Sequence, residues 1–169
     1  MIARVHIQAW QSAYAGIVND AYLKGLSIEE RTSRWHEGLS KKAECNFVAE
    51  NDGKIVGWIT FGQSRDKDAQ ATGEIYGVYV HPDFWGCGFG RKLMAAAEAD
   101  LWGRGFNKIT LWVLELNDRS RVFYSKSGYF FDGARQPFSI GGQELQILRY
   151  AKNLEETHVP DALPSAGNT

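Results

Sequence analysis

Cysteine is scarce. The chain has two, Cys45 and Cys87, in 169 residues, too few for a disulfide framework. The expected setting is therefore a reducing cytoplasm. CxxC and HExxH are both absent, so no metal is expected. An excess of one charge is missing too: 19 Lys and Arg stand against 20 Asp and Glu, for a net charge of −1. That balance gives no reason to expect a nucleic-acid partner. No apolar run approaches the roughly 18 residues that cross a bilayer, and no membrane association is expected. Met1-Ile2-Ala3-Arg4-Val5-His6 lacks the charged-then-apolar order of a secretory leader, and no internal repeat is visible. What remains is an ordinary globular composition, 44% hydrophobic and 23% charged, enough for one domain with a real core.

The chain is organised around Val78 to Leu93. Glu74-Ile75-Tyr76-Gly77-Val78-Tyr79-Val80 is rich in β-branched and aromatic residues and reads as a buried strand. Pro82 removes an amide donor and stops the ladder. Gly86, Gly88 and Gly90 then let backbone approach a ligand without a Cβ in the way. Beyond them Phe89, Leu93, Met94, Ala97 and Leu101 recur at helical spacing. A strand, a glycine-rich turn and a helix start present unpaired amides and a partial positive charge, which suits a phosphate.

Two familiar phosphate loops do not fit. A Walker loop needs Gly directly before Lys and a hydroxyl residue after it, whereas Arg91 precedes Lys92 and Leu93 follows. The dinucleotide fingerprint G-x-G-x-x-G fails because the third glycine, Gly90, comes one place early. The arrangement V-x-V-x-P followed by x-x-G-x-G instead resembles the coenzyme-A loop of the GNAT acetyltransferases. That resemblance implies that the amides of Gly86, Cys87, Gly88, Phe89, Gly90 and Arg91 hold the coenzyme pyrophosphate. It also implies that Val78, Tyr79 and Val80 pair with the pantetheine arm. One position departs from the family pattern: Trp85 stands where Gln or Arg begins the loop. Because the loop works through backbone amides, Trp85 is expected to alter packing and leave the binding mode intact.

A second constellation, Asn117 to Tyr129, matches the same family's N-x-x-x-x-x-F-Y-x-x-x-G-Y pattern. Asn117 and Tyr124 lie seven residues apart, two helical turns, and so share a face. By the resemblance, Asn117 contacts the coenzyme near its pantetheine and the Tyr124 hydroxyl points at the sulfur. Acyl transfer from a thioester expels a thiolate, which leaves more readily as it gains a proton, and a phenol in reach can act as general acid. The plain alternative makes Tyr124 a core aromatic beside Phe123. The base is expected at Glu74, eleven residues before Trp85, the offset of the basic glutamate in the histone-acetyltransferase branch. A solvated strand-end glutamate is the alternative there. His81, of a residue type that can take up a proton near neutral pH, is a second candidate and ranks below Glu74. Cys87 falls beside the expected pyrophosphate, far from the acetyl end, and reads as a variable loop residue.

The rest of the chain frames these motifs. Ile2, Val5, His6, Ala9, Trp10, Ala13, Tyr14 and Ile17 form a helical stripe, on which His6 reads as a packed histidine. Asn19-Asp20 caps a short helix through about Leu26, and Ser27-Ile28-Glu29-Glu30 opens another to roughly Leu39. Asn46 to Glu50 and Lys54 to Phe61 are strands joined by an Asn51-Asp52-Gly53 turn. A polar loop, Gln63 to Thr72, leads into the central strand. Lys108 to Glu115 is apolar on both faces and returns after a crossover helix, so it should lie parallel to the central strand. Tyr129 to Ala134 and Gln143 to Lys152 are two further strands around Gly141-Gly142.

The resemblance covers about Cys45 to Lys152. It implies an α/β fold with a mixed, mostly antiparallel sheet, a central splayed parallel strand pair and flanking helices. The expected domain is 1–152, with 153–169 a mobile tail. The expected activity is transfer of the acetyl group of acetyl-CoA to a primary amine: a small molecule, an amino acid or a protein N-terminus. A silent acyl-CoA-binding sensor is the alternative. GNAT domains begin with an edge strand, but the helical stripe starts at Ile2. That first strand is therefore expected to be absent, leaving Asn46 to Glu50 as an edge open to a homodimer partner or another cover.

Overall fold

A computed structural model describes residues 1–40, 44–67, 69 and 71–154. Three helices come first: α1 (Ile2–Ala13), α2 (Asp20–Lys24) and α3 (Ile28–Ser40). The Asn19 side chain caps α2 by accepting from the amides of Ala21 and Tyr22 at 2.8 and 3.3 Å. Ser27 Oγ caps α3 by accepting from the Glu30 amide at 3.2 Å, as the sequence signature requires. Strands β1 (Cys45–Asn51), β2 (Lys54–Gln63) and β3 (Thr72–Val80) follow. Asp52 and Gly53 turn the first hairpin with φ of 48° and 73°, the signs a primed turn needs. After a short 3-10 turn come α4 (Phe89–Gly103), β4 (Lys108–Leu114), α5 (Asp118–Lys126), β5 (Phe130–Ile140) and β6 (Gln143–Asn153).

The six strands form one sheet in the order β1-β2-β3-β4-β6-β5. All neighbours are antiparallel except β3 and β4, which run parallel. On one face α4 presses Leu93, Met94, Ala97 and Leu101 onto Ile59, Phe61, Ile75, Ile109 and Leu111. Gly73 permits that approach, because a Cβ there would lie 3.0 Å from the Leu101 methyls. A second core joins Val18 and Leu23 to Leu114, Ile140 and Ile147, with Trp10, Tyr14 and Trp112 at its margin.

Two expectations change in detail. The strand expected at Tyr129 to Ala134 runs instead from Phe130 to Ile140. The pairing with β6 breaks between Phe131 and Arg135 and then resumes. Gly133, at φ 95°, absorbs the bend of this bulge, and Pro137 is tolerated because β5 is an edge strand. At the other end, β6 continues to Asn153 and Leu154 is buried in the main core. The remainder of the tail expected at 153–169 lies outside the described residues.

Residues 2–13 are helical, and β1 is the outermost strand, with no strand before it among the described residues. Val48 on β1 is exposed. Alternate amides of β1 point away from β2 and should exchange with deuterium far faster than those of β3, which lies between two strands. Slow exchange along both rows of β1 amides would show instead that the edge is covered in solution.

Candidate active site

The parallel pairing of β3 with β4 is brief. It joins Thr72 through Ile75 to Lys108 through Leu111 and then stops. Opposite this point β3 carries an extra residue, because Thr60 faces Gly77 while Phe61 faces Ile75. The bulge turns the rest of β3 away from β4 and opens a cleft of about 1100 Å³. The His81 amide donates to Val56 O at 2.7 Å. Counting back by the antiparallel alternation, Tyr79 and Gly77 face β2, while the backbone groups of Val78 and Val80 face the cleft. One of these, Val80 O, accepts from Trp85 Nε1 at 2.8 Å.

The glycine loop closes one end. Gly86 and Gly88 sit at φ 81° and 87°, and Gly88 is the N-cap of α4. The first bond of the helix runs from Lys92 N to Gly88 O at 3.1 Å, which leaves the amides of Phe89, Gly90 and Arg91 without intrahelical partners. Arg119 lays its guanidinium 3.6 Å above the Trp85 ring, adding a cation to the cleft lining. Trp85 therefore ties the loop to β3 through its N–H and to α5 through its ring, the packing role its departure from the family pattern suggested. Cys87 is exposed, and its amide donates to Phe84 O at 3.3 Å.

The second motif arrives from α5. Asn117 is its N-cap, with Oδ1 accepting from the Ser120 amide at 3.1 Å. This leaves its Nδ2 with no partner among the described residues, in the wall of the cleft. Tyr124 lines the same cleft at 9% exposure. Burial, first, and the nearby Tyr79 phenol push its pKa well above the usual value of 10, so Tyr124 stays protonated at any working pH. No protein group hydrogen-bonds its hydroxyl among the described residues.

Glu74 also lines the cleft, at 2% exposure, but it is not a solvated strand-end carboxylate. Arg65 holds it with three donors: Nη2 to Oε1 at 2.6 Å, Nε to Oε2 at 3.4 Å and the backbone amide to Oε2 at 2.8 Å. A carboxylate has about four acceptor positions, so one remains for a water or a substrate. His81 Nδ1 accepts from the Asp83 amide at 3.2 Å and caps the 3-10 turn. The structure thus gathers Glu74, Val78, Tyr79, Val80, Gly86, Gly88, Phe89, Gly90, Arg91, Asn117 and Tyr124 around one cleft, while Cys87 is absent from its lining. Arg65 and Tyr14 were missed from the sequence. Tyr14, whose hydroxyl meets that of Tyr79 at 2.8 Å, was visible there as part of the helical stripe.

Residues 9–129 match the profile of the acetyltransferase (GNAT) family. The chain belongs to that family. It is 32% identical over 124 residues to the uncharacterized N-acetyltransferase YuaI of Bacillus subtilis, covering 73% of this chain and 69% of the relative. It is 27% identical over 162 residues to the L-amino acid N-acyltransferase MnaT of Escherichia coli, covering 90% and 93%. Among solved structures, that of yncA from Salmonella typhimurium with its cofactor acetyl-CoA superposes with a TM-score of 0.65. It is 26% identical and the match spans 95% of this chain and 92% of that one. This GNAT chain is therefore an acyltransferase. Its sheet, with the parallel β3–β4 pair, is the arrangement expected from the two sequence motifs. Among the described residues no cluster of His, Cys, Asp and Glu could hold a metal ion, and no helix is long and apolar enough to cross a membrane.

Proposed function

We propose that this chain moves the acetyl group of acetyl-CoA to a primary amine by direct attack within the β3–β4 cleft. The observation that carries this reading is that one cleft combines the backbone groups of Val78 and the amide of Val80, turned away from β2, with the protonated, unpartnered phenol of Tyr124. The amides of Phe89, Gly90 and Arg91 would receive the coenzyme pyrophosphate, and the Asn117 Nδ2 would donate to the pantetheine arm. The amine nitrogen attacks the thioester carbonyl carbon. The charge that develops on the carbonyl oxygen is met by amides of the Val78–Val80 segment. As the C–S bond breaks, the electron pair goes to sulfur and Tyr124 gives it a proton. Glu74 takes the proton released by the amine through its remaining acceptor position, directly or by way of one water, while Arg65 fixes the carboxylate in place.

Free-thiol release tests this reading. With acetyl-CoA and a panel of small amines, amino acids and peptides with free N-termini, at least one acceptor should give saturable turnover. MnaT makes α-amino groups the first to try. Glu74→Gln should lower that turnover by about a hundredfold or more, the low end for a positioned proton acceptor. Acetyl-CoA binding without turnover on any amine would overturn the transfer reading and favour a sensor.

A further inference from the structure

A second cavity, of about 210 Å³, lies on the α1–α3 side of the sheet. Its wall is aromatic. The His6 ring sits 5.0 Å from Trp58 and 5.4 Å from Tyr79, and Trp35 meets Trp58 edge-on at 4.7 Å. His6 and Trp58 are 6% and 5% exposed. Both ring nitrogens of His6 and the Nε1 atoms of Trp35 and Trp58 are buried without a hydrogen-bond partner. Burying such groups unpaired is unfavourable, so aliphatic side chains would have made a more stable wall. Burial, and secondarily the charge of Arg31, lowers the pKa of His6 to about 3, and the imidazole is neutral.

The rim is cationic. Arg31 and Arg34 both line the cavity, one turn apart on α3, against a single lining carboxylate, Glu44. Neither arginine has an ion-pair partner among the described residues. Arg31 is stacked 5.3 Å over Trp10, which fixes the guanidinium plane while leaving its N–H edge free. Burial and the neighbouring Arg34 both disfavour its charge, and an anion between the two would relieve this. The back wall is shared: Tyr76 and Gly77 line this cavity and the transfer cleft alike. Gly77 itself carries no side chain, and the rings of Tyr79 and Trp58 lie over it, where a Cβ would meet them at 3.1 and 3.5 Å.

We propose that this chamber receives the anionic end of the acceptor, so that the amines this enzyme takes carry a carboxylate on an apolar, aromatic body. The rings hold the body, Arg31 and Arg34 take the carboxylate as charge-assisted hydrogen bonds, and the amine is directed toward the β3–β4 cleft across the Tyr76–Gly77 segment that lines both cavities. The inference rests on the acetyl-transfer reading, and its test separates the two. The first arm is calorimetry of phenylacetate on the full chain without coenzyme. Saturable binding is expected, weakened at least tenfold by Arg31→Gln and by the exposed Arg34→Gln. Benzyl alcohol, which keeps the ring and lacks the charge, should bind at least tenfold more weakly. The second arm compares 4-(aminomethyl)benzoate with benzylamine as acceptors. The acid should have a KM at least tenfold lower, and the arginine variants should erase that advantage of the acid over benzylamine. No saturable phenylacetate binding, or binding indifferent to both arginine variants, would overturn the proposal and leave a cavity filled by water alone. Arginine-dependent phenylacetate binding with no turnover of any amine would uphold the anion chamber and sink the transfer reading.

Discussion

Tyr124→Phe is expected to lower turnover by roughly 10²-fold or more, the usual scale for a positioned proton donor, while acetyl-CoA affinity stays close to that of the parent. The asymmetry follows from where the side chain sits. The ring is buried against Phe123, Tyr129 and Tyr150, and phenylalanine keeps that packing. The hydroxyl has no protein partner among the described residues, so its removal strands no donor or acceptor and should cost little stability. What disappears is the one neutral phenol on α5 that lines the cleft. The pH dependence has a definite sign. Burial raises the pKa of Tyr124 above 10, so the acid form persists as pH rises, and the parent should show no alkaline loss of turnover from this group below about pH 10. In the variant a better leaving group should recover part of the rate. Single-turnover measurement of thiol release separates this chemical step from product release. Intact turnover in a folded Tyr124→Phe protein, at every pH tested, would mean that water or another group protonates the leaving sulfur.

The two motifs were legible because each couples a local rule to a chemical need. Gly86, Gly88 and Gly90 before a helical stripe mark a turn that only glycine makes easily, and two of the three do adopt positive φ. Asn117 and Tyr124 share a helix face by spacing alone. The parallel pairing of β4 followed from its return after a crossover helix, and its doubly apolar pattern matches cover on both faces, by α4 on one and by the Val18 and Leu23 cluster on the other. Long-range pairing was not legible. Nothing near Arg65 in the chain distinguishes it from Arg4 or Lys67, because its partner Glu74 is reached by folding a loop back onto β3. The aromatic wall around His6 was hidden for the same reason. Its rings come from α1, α3, β2 and β3, each reading locally as ordinary core. The bulge that opens the cleft was also invisible, since it depends on the register of β3 against β2 and not on any one residue type. The length of β5 was missed because Gly133 and Pro137 read as breakers, whereas an edge strand with a bulge accommodates both.

Gly88→Val should weaken acetyl-CoA binding by at least tenfold, about 1.4 kcal/mol, with a smaller loss of thermal stability. Gly88 adopts φ 87°, and a Cβ built there meets no protein atom within 4 Å. The substitution therefore does not clash with the protein itself. It puts a branched side chain into the open space above the amides of Phe89, Gly90 and Arg91, where a pyrophosphate must approach to about hydrogen-bond distance. It also forces a β-branched residue into the left-handed region, a strain of roughly 1–2 kcal/mol. A control separates the two effects. Gly53, in the β1–β2 turn, has φ 73° and an equally empty surround, and it does not line the cleft. Gly53→Val should show a comparable drop in melting temperature with unchanged acetyl-CoA affinity. If calorimetry finds parent-like affinity in folded Gly88→Val, the α4 amides do not cradle the coenzyme. If both variants lose affinity in proportion to their loss of stability, strain and not obstruction accounts for the effect at Gly88.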